Sequence, residues 1–84
     1  MAKTAFITGA TSGFGKATAE RFSAEGWNVV IAGRRADRLQ SLQASLPNPA
    51  HVVVLDVRDR AAVEAAFGEL PAAFSPIDVL VNNA

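Results

Sequence analysis

The feature that most constrains the fold of this chain is a glycine-rich stretch, Thr8–Gly15, with the sequence TGATSGFG. It lies between a short apolar run, Ala5–Ile7, and a segment of helical periodicity that begins near Phe14. A strand that turns abruptly into a helix needs backbone angles and close approaches that a Cβ would obstruct. The helix then begins with unpaired N–H groups and the positive end of its dipole, which together suit a pyrophosphate. The stretch therefore predicts a phosphate-binding turn.

A second kind of phosphate loop, the Walker A motif G-x-x-x-x-G-K-[ST], has to be compared because Lys16 follows Gly15. The motif fails at two positions, since its first glycine would fall at Ala10 and its magnesium-binding hydroxyl at Ala17. The sequence therefore disfavours nucleotide hydrolysis. The order of strand, glycines, helix and second strand is instead the context of a dinucleotide-binding turn.

Length and composition exclude several classes of protein. A chain of 84 residues makes at most one small domain, and such a domain buries only about 60–65% of its unfolded surface. The formal net charge is zero, so no nucleic-acid or membrane partner is indicated. Cysteine is absent and His51 is the single histidine, which rules out disulfides and thiolate metal sites and disfavours any metal cluster.

The hydropathy pattern indicates a soluble chain. No apolar run approaches the roughly 20 residues that span a bilayer. Strand-like sequence begins at Thr4, so we expect no signal peptide. Together with the lack of cysteine, this leads us to expect a cytoplasmic protein.

Strand and helix patterns alternate along the whole chain. We expect strands at Thr4–Thr8, Asn28–Gly33, His51–Leu55 and Val79–Val81, and helices at Phe14–Glu25, at Ala36–Leu46 and after an Asp59 cap. The alternation predicts an α/β fold, a Rossmann-type doubly wound parallel sheet with strand order 3-2-1-4. Residues 1–84 would then be the N-terminal dinucleotide-binding part of a single Rossmann-fold domain.

The apolar spacing also predicts which helix faces are buried. Phe14, Thr18 and Phe22 fall four apart on the first helix, and Gly26 should cap it in the left-handed conformation. The buried face of the second helix should carry Leu39, Leu42 and Leu46, and that of the third Val63, Ala66, Phe67 and Leu70. Residues 71–76 are expected to form a loop.

The end of the second strand bears on cofactor choice. In dinucleotide folds an acidic residue at this position accepts hydrogen bonds from the ribose 2′-hydroxyl of NAD. Here Gly33 holds the position and is followed by Arg34 and Arg35. A guanidinium forms strong hydrogen bonds with a 2′-phosphate, and no carboxylate is present here to repel it. The sequence therefore predicts NADP as the cofactor, with Arg34 as the main contact of the 2′-phosphate and Ser12 adding a hydroxyl. The alternative is that both arginines are solvated residues at a helix start.

Three motifs at matching separations carry a family resemblance. Thr8–Gly15, Asp56–Val57 and Asn82–Ala84 resemble the cofactor turn, the adenine-side position and the start of the Asn-Asn-Ala-Gly motif of the short-chain dehydrogenases/reductases. The resemblance covers the whole chain, but only about the first third of a usual family member. It implies that Asp56 reaches the adenine amino group, that Val57 packs on the ring and that Thr8 braces the turn. For Asp56 the alternative is an ordinary Asx turn at a strand end.

A closer resemblance is to the NADP-dependent 3-hydroxy acid (serine or allo-threonine) dehydrogenases. It rests on Gly13–Gly15, Gly33–Arg35, Arg38–Gln40, Asp56–Arg60 and Ile77–Ala84. The resemblance implies an oxidoreductase that acts on the CH–OH group of a small-molecule substrate such as a hydroxy acid. It also implies a homotetramer or homodimer for the full-length protein.

The predicted cofactor-binding residues come from the glycine turn, the ends of the second and third strands and the last motif. They are Gly9, Thr11, Ser12, Gly13, Phe14, Gly15, Arg34, Arg35, Asp56, Val57, Asn83 and Ala84.

No residue of the chain is predicted to be catalytic. The family uses a Tyr-x-x-x-Lys motif for proton transfer, whereas this sequence has no tyrosine and its two lysines, Lys3 and Lys16, lie in or before the turn. The first interpretation is the N-terminal part of a longer reductase, since the sequence stops inside the last motif. The second is a non-catalytic NADP-binding or sensing module. It is physically less favourable, because the fourth strand would be an open apolar edge.

Overall fold

Four parallel strands form one sheet in this computed structural model, which describes residues 2–83. The strands are β1 (Thr4–Thr8), β2 (Asn28–Gly33), β3 (Ala50–Val54) and β4 (Val79–Asn82). Their order across the sheet is β3-β2-β1-β4, which confirms the predicted Rossmann-type topology. The chain reverses direction across the sheet between β3 and β4, so β1 and β4 flank the switch point.

Helices connect successive strands. They are α1 (Gly13–Ala24), α2 (Ala36–Ser45) and α3 (Arg60–Gly68). A short 3₁₀ helix, Ala72–Phe74, occupies part of the stretch that was expected to be a loop. None of the helices within residues 2–83 has the length and hydrophobicity needed to cross a membrane.

The sheet separates two apolar cores because successive strand residues point to opposite faces. Ala5 and Ile7 of β1 belong to the larger core, where α1 and α2 pack. Phe6 points to the other face, where it meets the ring of Phe67 edge to face at 4.9 Å between centroids. All five residues of β1 are buried, as the absence of polar alternation in its sequence predicts.

The buried face of α1 differs from the predicted one. Phe14 is 85% exposed, while Gly15, Ala19 and Ser23 face the sheet. The reason is the close contact of Gly15 with the turn, which fixes the rotation of the helix one residue away from the expected stripe. Phe22 is half-buried at the border of that stripe, where its ring packs edge to face on Trp27.

The other two helices agree better with the sequence pattern. Leu39, Leu42 and Leu46 are all buried against the sheet. In α3 the predicted Asp59 cap is present, since its Oδ1 accepts a hydrogen bond from Ala62 N at 3.2 Å. Ala66 is the buried residue of α3, and Phe67 stays 37% exposed despite its contact with Phe6.

Candidate dinucleotide-binding site

The turn between β1 and α1 depends on two glycines. Gly9 has φ +60°, in the left-handed region, and a Cβ there would lie 3.2 Å from the Asn83 Cβ and closer still to its carbonyl oxygen. A Cβ at Gly15 would overlap the Gly9 carbonyl and would lie 2.8 Å from the Ala10 Cα. Both close approaches are between main chains, so neither glycine tolerates a side chain without a shift of the backbone.

Ser12 begins α1 and closes the turn. Its Oγ accepts a hydrogen bond from Gly15 N at 3.2 Å and donates one to Gly9 O at 2.8 Å. The hydroxyl therefore braces the turn in this structure, and its predicted contact with a phosphate stays a prediction. The start of α1 leaves free N–H groups and the positive end of the helix dipole beside the turn, an arrangement that favours an anion.

A cleft of about 270 Å³ runs along the carboxyl ends of β1, β2 and β3. Its lining comes from the turn and from the segments that follow β2 and β3. The residues are Gly9, Thr11, Ser12, Gly33, Arg34, Arg35, Arg38, Leu55, Asp56 and Val57. Seven of the twelve residues predicted to bind a cofactor are among them.

The remaining predicted residues lie beside the cleft, except for one that is outside the described residues. Gly13, Phe14 and Gly15 form the first turn of α1, next to the cleft rather than in its lining. Asn83 packs against Gly9 from the β4 side. Ala84 lies outside the described residues.

Three arginines supply the positive charge of the cleft. Arg34 and Arg35 follow β2, and Arg38 reaches the same cleft from the first turn of α2. All three side chains are exposed. The sequence analysis missed Arg38 as a site residue, although its place in the first turn of the helix that follows Arg34 and Arg35 was a signal that it lies near the same strand end.

Gly33 ends β2 and lines the cleft together with these arginines. An added Cβ at Gly33 would have the Leu39 side chain as its nearest neighbour, at 3.7–4.0 Å. Such distances are ordinary packing contacts. A wider cleft of about 370 Å³ continues between α1 and α2 and shares Thr11 and Arg38 with the first.

Asp56 is the acidic residue of the cleft lining, and Arg58 binds its carboxylate. Arg58 Nη2 donates to Oδ2 at 2.8 Å, Nε lies 3.1 Å from Oδ1, and the main-chain N–H donates to Oδ1 at 2.9 Å. The last of these bonds is the Asx turn that the sequence analysis kept as the alternative for Asp56. The structure thus contains this turn, and the carboxylate also lines the cleft.

The hydrogen bonds from Arg58 favour the ionised form of this carboxylate. The Arg58 side-chain hydrogen bonds, and then its main-chain hydrogen bond, lower the pKa of Asp56 from 3.8 to about 2, with a smaller contribution from the charge of Arg34. The Asp56 side chain remains 35% exposed. At neutral pH it therefore offers a hydrogen-bond acceptor and no donor.

Hydrogen bonds between β1 and β4 fix the switch point. Thr8 Oγ1 lies 3.1 Å from Asn82 Oδ1 and accepts a bond from Asn83 N at 3.2 Å. Asn83 Nδ2 in turn donates to Thr8 O at 3.2 Å. These bonds hold the end of β4 against the glycine turn.

The chemistry that these groups offer is binding rather than proton transfer. The cleft combines a helix start, guanidinium groups and one ionised carboxylate. Nowhere in residues 2–83 do three or more histidine, aspartate or glutamate side chains come together as a metal site would need.

Known proteins match both the sequence and the fold. A chain 54% identical over 84 residues is the "Serine 3-dehydrogenase" of Rhizobium radiobacter, and the match covers 100% of this chain and 34% of that protein. The "NADP-dependent 3-hydroxy acid dehydrogenase YdfG" of Escherichia coli O6:H1 is 49% identical over 78 residues, or 93% of this chain and 32% of that one. This chain thus spans about a third of the length of these curated relatives.

A solved structure agrees with the sequence matches. "The Closed form of serine dehydrogenase complexed with NADP+" superposes with a TM-score of 0.90 at 46% identity, over 96% of this chain and 33% of that chain. The family model described as short chain dehydrogenase matches residues 3–84. Because that match takes in almost the whole sequence, we conclude that the chain belongs to the short chain dehydrogenase family.

Proposed function

We propose that this chain forms the NADP(H)-binding part of a dehydrogenase that transfers hydride between NADP and a small hydroxy or oxo acid, or a similar alcohol or carbonyl substrate. The observation that carries the proposal is the cleft at the ends of β1, β2 and β3. It places the start of α1, three arginines and one ionised carboxylate around a single volume. A phosphorylated dinucleotide presents the matching groups, namely a pyrophosphate, a 2′-phosphate and a purine.

Each part of the cofactor has a matching part of the cleft. The pyrophosphate would lie on the turn that ends at Ser12, where free N–H groups and the helix dipole favour negative charge. The 2′-phosphate would bind to Arg34, with Arg35 and Arg38 beside it, because guanidinium groups bind phosphate with two parallel hydrogen bonds. The adenine would extend toward Asp56.

The cofactor supplies the hydride chemistry, while this chain binds and orients it. The names of the relatives support both NADP and a small hydroxy acid as the reactants. Since the sequence contains no tyrosine, the proton-transfer group of the family would have to come from the part of the protein that corresponds to the rest of its relatives.

The second candidate is a module that binds NADP without catalysis. The absence of tyrosine is the observation that favours it. The two candidates differ in the turnover of the full-length protein that contains these residues. A dehydrogenase reduces NADP in the presence of serine, allo-threonine or another 3-hydroxy acid, whereas the module binds NADPH and gives no turnover with any of them.

The substitution Arg34→Ala tests the cofactor assignment. We expect the Kd for NADPH to rise by roughly tenfold to a hundredfold, because a charge-assisted contact with the 2′-phosphate is lost. The Kd for NADH should change by less than about twofold, since NADH has no 2′-phosphate. Quenching of the dinucleotide fluorescence on titration measures both constants.

Arg21→Ala is the matched control for this experiment. Arg21 is an exposed arginine on α1 that pairs with Glu25 and does not belong to the cleft lining. Its removal should leave both dissociation constants unchanged. Equal weakening of NADH and NADPH by Arg34→Ala would contradict a contact with the 2′-phosphate.

A further inference from the structure

Arg58 occupies an unusual place relative to the cleft. Its side chain is 78% exposed, and it is not among the described residues that line the cleft. Its guanidinium nevertheless makes three contacts of 2.8–3.2 Å with Asp56, which does line the cleft. Arg58 thus approaches the Asp56 carboxylate from outside the volume that a ligand would fill.

This pair contributes little to folding stability. Ion pairs between exposed side chains are weak, because water screens the charges and both side chains lose freedom. The pair instead restrains one hydrogen-bond acceptor of the cleft, the Asp56 carboxylate. Three N–H groups of Arg58, the main-chain N, Nε and Nη2, bind the carboxylate.

Counting acceptor directions shows the effect on the carboxylate. A carboxylate has about four lone-pair sites, and the contacts from Arg58 to both oxygens take up most of them. A forked contact at both oxygens also fixes the rotation of the carboxylate about its last bond. A ligand donor therefore meets a carboxylate in a fixed orientation, and the Asp56 side chain is still 35% exposed to receive it.

From this geometry we infer that Arg58 is a positioning residue for purine recognition. It holds the Asp56 carboxylate in one orientation, so that the cleft prefers a purine with an amino group to one with a carbonyl at the same ring position. The amino group donates a hydrogen bond to the carboxylate, whereas a carbonyl oxygen would face it with like partial charge. This inference rests on the proposed binding of NADP(H) in the cleft. The low pKa of Asp56 agrees with it, because the hydrogen bonds from Arg58 are its main cause.

The test compares two dinucleotides in binding. One is NADPH, and the other is its hypoxanthine analogue, in which a carbonyl replaces the 6-amino group. We expect the unsubstituted protein to bind NADPH more tightly. The substitution Arg58→Ala should reduce this preference by about tenfold, through weaker binding of NADPH rather than tighter binding of the analogue.

Two further variants separate orientation from charge. Arg58→Lys keeps the positive charge and loses the fork, so it should recover only part of the preference. Asp56→Asn gives the position a donor as well as an acceptor, and should reduce the preference as Arg58→Ala does. If Arg58→Lys restores the full preference, charge alone is sufficient and the inference is wrong.

Arg60→Ala is the matched control. Arg60 is exposed at the start of α3 and lies outside the described lining of the cleft, so the preference should not change. A direct readout accompanies binding: the pKa of Asp56, followed by NMR, should rise from about 2 toward 3.8 in the Arg58→Ala variant. This rise would not follow from a general loss of packing.

The outcomes distinguish this inference from the proposed function. Binding of NADPH with an unchanged preference in Arg58→Ala would overturn the role of Arg58 and leave the proposed function intact. Equal binding of both dinucleotides by the unsubstituted protein would also overturn the role of Arg58 and leave the proposed function intact. If the unsubstituted protein binds neither dinucleotide, both the proposed function and the role of Arg58 are wrong.

Discussion

At the scale of single residues, two glycines of the first turn of α1 have different surroundings. A Cβ at Gly15 would overlap the main chain of Gly9, whereas a Cβ at Gly13 would have nothing within 4 Å. We expect Gly15→Ala to lower the free energy of unfolding by about 1–3 kcal/mol, because the backbone must move to fit the methyl group. Gly13→Ala should leave it unchanged or raise it by up to about 1 kcal/mol, since alanine favours a helix. Urea unfolding of the two variants measures the difference. Similar stabilities would mean that Gly15 does not pack on Gly9 as described.

Some features of single residues could be predicted from the sequence, and others could not. The turn glycines and Arg34 were predicted because their conformation or charge is encoded locally. The wrong prediction for Phe14 arose because periodicity gives the spacing of a helix face and not its rotation, which here depends on the contact at Gly15. The side-chain bonds between Arg58 and Asp56 were missed, because two residues of a loop have no repeating pattern that reveals a contact.

At the scale of elements, the cap of α3 was predicted and its contribution can be measured. Asp59 Oδ1 accepts the N–H of Ala62, one of the donors that a helix start leaves unpaired. We expect Asp59→Ala to reduce the free energy of unfolding by about 1 kcal/mol, and Asp59→Asn to reduce it much less, since asparagine is also a good cap. Chemical denaturation provides the measurement. A loss of equal size in both variants would show that the negative charge, rather than the hydrogen bond, stabilises the helix.

The strands and helices could be predicted from local sequence to within one or two residues at most of their ends. β1 and β2 have the expected bounds, because β-branched runs between turn residues define them well. β3 begins at Ala50, one residue before the expected His51, since Val29 and Ala50 are partners in the sheet register. The 3₁₀ helix Ala72–Phe74 was not predicted, because three residues are too few for a periodic signal.

At the scale of the whole molecule, Thr8 joins the first and last strands across 75 residues of sequence. Thr8 is only 5% exposed, and its hydroxyl accepts the N–H of Asn83. We expect Thr8→Val, which keeps the shape and removes the hydroxyl, to lower the free energy of unfolding by about 1–3 kcal/mol, because that N–H loses its partner.

Thr18→Val is the control for this substitution. The Thr18 hydroxyl donates to Phe14 O within one helix, at an exposed position, so its loss should change stability by no more than about 0.5 kcal/mol. Urea unfolding of both variants tests the expectation. If Thr8→Val is as stable as Thr18→Val, the hydrogen bonds at the switch point do not hold β4 on the sheet.

The space beside Gly33 has a consequence for the molecule as a whole. A Cβ there would make only ordinary packing contacts with the Leu39 side chain, and this is the position from which dinucleotide folds hold the ribose of NAD with a carboxylate. The proposed preference for the phosphorylated cofactor therefore depends partly on the absence of a carboxylate at position 33. The same scaffold would serve either nucleotide, and a lineage of such proteins could exchange one for the other by adding a single acidic group without rebuilding the sheet.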